Sequence, residues 1–159
     1  MKRAVIGFRM HSGWGALVVM SNDGAFDVVE RRHIVVALPS IPGSKQPYHY
    51  VEKLEPKEAE NYLASCSSAS GQLASAAVGE LIEDLERREY RVSASALLMA
   101  SGRALPSLAG ILASHALIHA AEGEFFRAIV HRACEDAGIA VTRLRERDLE
   151  QRAKEVLGN

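Results

Sequence analysis

Two short apolar, β-branched runs open the chain. Arg3–Met10 (RAVIGFRM) reads as a first strand, and Trp14–Met20 (WGALVVM) resumes the pattern after the turn residues His11-Ser12-Gly13. Asn22-Asp23-Gly24 is a strong hairpin turn, because Asn, Asp and Gly all tolerate positive φ. A third strand is expected from about Ala25 to Leu38, with Arg31-Arg32-His33 as a polar interruption or bulge. The chain thus begins as an antiparallel meander. Pro39–Pro47 (PSIPGSKQP) is a turn-rich loop, and Tyr48-His49-Tyr50-Val51 adds a little edge structure after it. The period then changes. Glu55-Pro56-Lys57-Glu58 looks like a helix start, and Ala59, Tyr62, Leu63, Cys66, Ser70, Leu73, Ala77, Leu81 and Leu85 keep helical spacing to about Arg88. At 1.5 Å per residue that is a rod of roughly 50 Å, with a bend expected near Gly71. Its small-residue middle, SCSSASGQLASAA, suits close packing and matches no phosphate loop.

Arg91–Ala100 (RVSASALLMA) reads as a fourth strand, ended by Ser101-Gly102. One long helix is expected over Ser107–Gly138, capped by the Ser107 hydroxyl and closed by a left-handed glycine. Ile139-Ala140-Val141 is a brief fifth strand, and Glu146–Leu157 a charged final helix with Leu149, Ala153, Val156 and Leu157 on one side. The order β-β-β-α-β-α-β-α implies an α/β fold with a mixed five-stranded sheet, antiparallel on the hairpin side, parallel where helices cross over, and helices on its faces.

The long helix carries the most informative polar residues. Leu108, Ile111, Leu112, Ile118, Phe126, Ile129, Val130 and Ala133 form an apolar stripe, and His115, His119 and Glu122 lie within it at i, i+4, i+7 spacing. Glu124, Arg127, His131 and Glu135 fall towards the opposite side, which is expected to face solvent. A buried, unpaired carboxylate costs several kcal/mol, of order 3–5. Three arrangements satisfy the trio: a buried hydrogen-bonded network, a cleft-lining constellation, or a metal site with His115, His119 and Glu122 as ligands. No general-base acid lies between the two histidines, and no fourth ligand is evident. Ser101 and Ser114 lack a base-and-orienter pair, so nothing supports a serine hydrolase.

Composition narrows the class. The 159 residues fit one domain, 48% apolar and 25% charged, with a net charge of -1 that gives nucleic acid no whole-chain electrostatic support. The clusters Arg31-Arg32-His33 and Arg143-Arg145-Arg147 have acidic neighbours and read as solvated faces. Cys66 and Cys134 show no CxxC spacing and suit reduced, buried positions in a reducing cytoplasm. No apolar run approaches the ~20 residues of a membrane span, and MKRAVIGF lacks a signal-type core. A soluble, cytoplasmic protein without membrane attachment is expected. The sequence names no cofactor either way, and no phosphate-binding glycine pair favours an ATPase.

Three stretches carry a family resemblance. IGFRMHSGWGALVV resembles the first hairpin of Holliday-junction resolvases of the RuvC type, VGELIEDLERREYRVSASALL their first helix and fourth strand, and HRACEDAGIAVTRLRERDLEQ their later helix, short strand and basic segment. The resemblance covers most of the chain apart from an inserted segment around 39–70, and implies a single ribonuclease H-like domain over 1–159. It also implies a first-strand aspartate for two-metal phosphodiester cleavage, but the aligned residue is Arg9. An arginine cannot bind Mg²⁺, the fourth strand has no carboxylate, and the acid-bearing last helix has no clear counterpart. Arg9, His11 and Trp14 surround the first turn, where the nucleases place their chemistry. Arg9 and His11 are candidate phosphate contacts, whereas Trp14 is better read as a core or hairpin aromatic. Two functions are therefore expected to compete. One is a non-catalytic ribonuclease H-like binding module, its long helices available for homodimer packing. The other is a hydrolase using His115, His119 and Glu122, with or without a metal.

Overall fold

The computed structural model describes residues 1–21 and 23–158. Five strands, β1 (Lys2–His11), β2 (Trp14–Ser21), β3 (Val28–Val35), β4 (Tyr90–Met99) and β5 (Val141–Arg145), form one sheet in the order β3-β2-β1-β4-β5. The helices are α1 (Pro47–Val51), α2 (Pro56–Arg87), α3 (Leu108–Leu112), α4 (His115–Asp136) and α5 (Leu149–Leu157). β1, β2 and β3 pair antiparallel, whereas β4 joins β1, and β5 joins β4, in parallel. Connection length explains the change. β1 and β2 are linked by Ser12-Gly13 alone, whereas β4 and β5 are each reached by a helical crossover. Gly13, at φ +80°, lets its carbonyl accept the Val36 and Ala37 N–H groups, tying the chain after β3 to the first turn.

Side-chain alternation makes the two sheet faces unequal. Ile6, Phe8, Leu17, Val19 and Leu97 are fully or nearly fully buried, together with Val78, Leu81 and Leu85 of α2 and Phe126 and Val130 of α4. Both large helices pack on that one face. On the other face Gly7, Ala16, Val18, Ala96 and Leu98 are only half-buried. α5 packs chiefly on the short 3₁₀ turn Glu146–Asp148, leaving Leu149, Val156 and Leu157 exposed. Among the described residues no helix is long and apolar enough to cross a membrane.

Several boundaries differ from the sequence reading, each for a local reason. The helix expected over Ser107–Gly138 is two helices: Ser114 is extended (φ -140°, ψ 117°) and its hydroxyl accepts the Leu117 N–H, starting α4 afresh. Tyr48–Val51 is helical rather than edge strand, with Pro47 in the first turn. Arg31-Arg32-His33 pair regularly with Val18, Leu17 and Ala16, and the irregularity falls between Val28 and Glu30. The fifth strand lies later than Ile139–Val141, because Gly138 (φ +75°) and Ile139 still close α4 through N–H bonds to Glu135 and Cys134. The final helix starts at Leu149, after the 3₁₀ turn. Asn22 of the expected hairpin turn lies outside the described residues. Next to it, the Asp23 carboxylate accepts the Arg3 backbone N–H at 2.6 Å.

Candidate functional site

The site forms where α1 meets the N-terminal end of α4. A second, smaller apolar cluster lies beneath it: Ile111 of α3 with Ile118 and Ala121 of α4, flanked by Tyr48, Leu105 and Leu117. The segment before α1 is held in place. Gly43 is at φ +76°, and a Cβ there would lie 2.2 Å from the Tyr50 ring. Tyr50 in turn stacks on Tyr62 of α2 at 4.4 Å, and the Tyr62 hydroxyl donates to the Pro42 carbonyl. Burial, with lesser help from neighbouring Cys66, raises the Tyr62 phenol well above its ordinary pKa and keeps it a neutral donor.

Glu122 is the buried anchor, only 3% exposed. One carboxylate oxygen accepts the Tyr48 backbone N–H at 3.0 Å, and the other is bonded to His49 Nδ1. Both oxygens are thus engaged by α1, which answers the desolvation of the charge. Burial, reinforced by that carboxylate, pushes the Tyr48 phenol upward. His115 and His119, one turn apart on α4, place their Nε2 atoms 3.1 Å from each other. The His49 ring lies edge-on to both, with centroids 5.5 and 4.6 Å away. One ligand atom from each of the three imidazoles falls within 4.8 Å of the others.

The sequence trio is therefore divided. Glu122 stands behind the cluster rather than in it, and His49 takes the third position. Sequence reasoning missed His49 because it sits in a five-residue helix, too short to display a period. The Tyr48-His49-Tyr50 run after Pro47 was the available signal. His115 and His119 are exposed rather than buried, because the first turns of α4 pack against α1 and α3 instead of the sheet. The opposite side of α4 is less open than expected. Arg143 of β5 bonds Glu124 at 3.1 Å and His131 at 3.0 Å, and Arg127 also pairs with Glu124, so this flank is covered by the sheet edge.

The first turn is a separate place. Arg9 pairs with Glu146 at 2.8 Å, and both side chains are more than half exposed. His11 stacks on Trp14 with centroids 4.2 Å apart, and His33 meets the same indole edge-on. Trp14 is a partly exposed hairpin aromatic, not core. On the uncovered sheet face, Val18, Ala96, Leu98, Leu144 and Leu149 line an apolar groove of about 760 Å³, which Arg9 and Arg31 also line.

No family model matches the sequence, and no curated protein matches it. Solved structures do. RuvC of Thermus thermophilus in complex with a Holliday junction substrate aligns over 94% of this chain and 68% of its own, at 14% identity and TM-score 0.52. A second T. thermophilus RuvC structure gives 15% identity and TM-score 0.48, over 98% of this chain and 70% of its own. An Aquifex aeolicus member of the Ppx/GppA family gives 9% and 0.40, over 92% and 36%. The first of these likenesses shows the fold, which is ribonuclease H-like, and at that identity it shows the fold alone.

Proposed function

We propose that this ribonuclease H-like chain is a binding module without two-metal nuclease chemistry. The observation that carries the reading is Arg9. It stands on β1 on the uncovered sheet face, opposite Ala16 of β2, where the resemblance to the resolvases calls for an acid. A guanidinium offers no lone pair to Mg²⁺ and repels it, and the half-buried positions around it, Gly7, Val18, Ala96 and Leu98, bring no carboxylate. What that face offers instead is the apolar groove, lined also by the exposed Arg31, for which the described residues form no ion pair. Such a surface suits an apolar segment bearing an acidic group. The two buried, unpaired cysteines suit a reducing cytoplasm. In the test, repurified protein is given Mg²⁺ or Mn²⁺ with branched DNA and with an RNA–DNA hybrid. No cleavage is expected, and cleavage above a mock preparation overturns the reading. Binding of an apolar anionic dye should weaken in Leu98→Glu and Arg31→Glu. A concentration-dependent dimer lost in Leu98→Glu would make the partner a second copy.

A second reading, a metal-assisted hydrolase, is favoured by the convergence of His49, His115 and His119. Its test is hydrolysis of p-nitrophenyl esters and phosphates that depends on added Zn²⁺ or Co²⁺ and disappears in His119→Ala.

A further inference from the structure

The geometry points to a mononuclear site for a borderline divalent cation of the Zn²⁺ or Co²⁺ class, held by His49, His115 and His119 and oriented by Glu122. The hydrolase reading above would need this site, but the site stands without it. Its first support is spacing. Two nitrogens on one tetrahedral ion at Zn–N distances near 2.1 Å lie about 3.4 Å apart. His115 Nε2 and His119 Nε2 are already 3.1 Å apart, and one ring nitrogen from each of the three histidines lies within 4.8 Å of the others. Rotation of exposed side chains closes the remaining gap. Helix geometry makes the first pair unavoidable, because residues four apart share a face, and the third ring comes from the facing α1.

The second support is the carboxylate behind His49. Glu122 accepts from Nδ1, which fixes the tautomer and leaves the Nε2 lone pair as the atom His49 has to offer. A ligating histidine commonly donates its other N–H to a carboxylate, which also makes the ring a better donor. Glu122 is itself pinned by the Tyr48 N–H, so this outer support is built in without the ion. Glu122 is accordingly a positioning residue. Three neutral imidazoles favour Zn²⁺ or Co²⁺ over Mg²⁺ and Ca²⁺, which prefer oxygen. Because His115 and His119 are exposed, the fourth position opens to solvent and to water or an anion as the last ligand.

The test uses the full chain, stripped with chelator, dialysed and titrated with Co²⁺ while the visible d–d band is followed. One Co²⁺ per chain is expected, with the intense absorption of a four-coordinate site. His49→Ala, His115→Ala and His119→Ala should each lose the band, with far-ultraviolet circular dichroism unchanged. Glu122→Gln should weaken Co²⁺ binding about 10–100-fold and move the band, which a purely structural carboxylate would not do. Because His115 and His119 are exposed, their variants keep the test open even if His49→Ala fails to fold. Absence of stoichiometric uptake, or uptake unchanged in the His115 and His119 variants, overturns the proposal. One bound Co²⁺ with no ester or phosphate hydrolysis sustains the site and removes the hydrolase reading alone.

Discussion

The bond between Glu122 and His49 supplies the sharpest stability test. Spacing along α4 assigns Glu122 a partner in His119, but the structure gives that role to His49. His49→Ala removes one of the two groups that satisfy a nearly fully buried carboxylate and leaves the Tyr48 N–H at 3.0 Å. Stranding a buried polar group costs about 1–3 kcal/mol. The His49 side chain is 21% exposed, so water can enter the vacated space, which places the loss in the lower half, about 1–2 kcal/mol. In a chain of this size each kcal/mol moves Tm by about 2–4 °C, so the shift should be about 2–8 °C downward. His119→Ala, which touches neither Glu122 oxygen, should stay within about 0.5 kcal/mol of the parent. Both are measured by urea unfolding with chelator present, so that no ion adds to the stability of the native state. Combining His49→Ala with Glu122→Gln should cost less than the sum of the two, with a coupling of about 0.5–3 kcal/mol. Equal losses for the two histidine variants, or an unchanged midpoint in His49→Ala, would refute this account of how the buried charge is held.

Adjacent residues of β4 test the one-sided sheet: Leu97→Ala, fully buried under the helices, should cost about 2–5 kcal/mol in urea unfolding, and half-buried Leu98→Ala about 1 or less. Equal losses would mean that both faces are covered. Burial pushes the Cys134 thiol up to about 11 from an ordinary 9.0, against a small opposing effect of the Ser95 hydroxyl. The unfolded chain therefore ionises first. The contribution of this group to stability is intact below about pH 9 and falls as pH rises towards about 11, and the thiol should resist alkylation at pH 8 until urea is added. Rapid labelling of Cys134 in the native protein would contradict this.

The sequence by itself determined the order of the five strands and the helical crossovers between them. Short turns after β1 and β2 dictate antiparallel neighbours, and helices of many turns before β4 and β5 dictate parallel ones, so the mixed sheet follows from connection lengths alone. Pro56 at the start of α2, Gly138 at the end of α4 and the arginine at position 9 are equally local facts. The Ser114 break in the long helix was less legible, because an unbroken apolar stripe runs through it and only the extended backbone of one residue interrupts it. Tertiary structure decided the rest. Helical projection ranks positions by angle, but burial depends on what covers each angle. Glu124 and His131 lie under Arg143 of β5, whereas His115 and His119 sit where α4 extends towards α1. It also chose the third imidazole. His49 reaches the cluster only because a buried carboxylate on α4 takes two bonds from α1, a contact between distant parts of the chain. The free energy of ordering such a contact is set by the packed fold and leaves no periodic trace in the residues that make it.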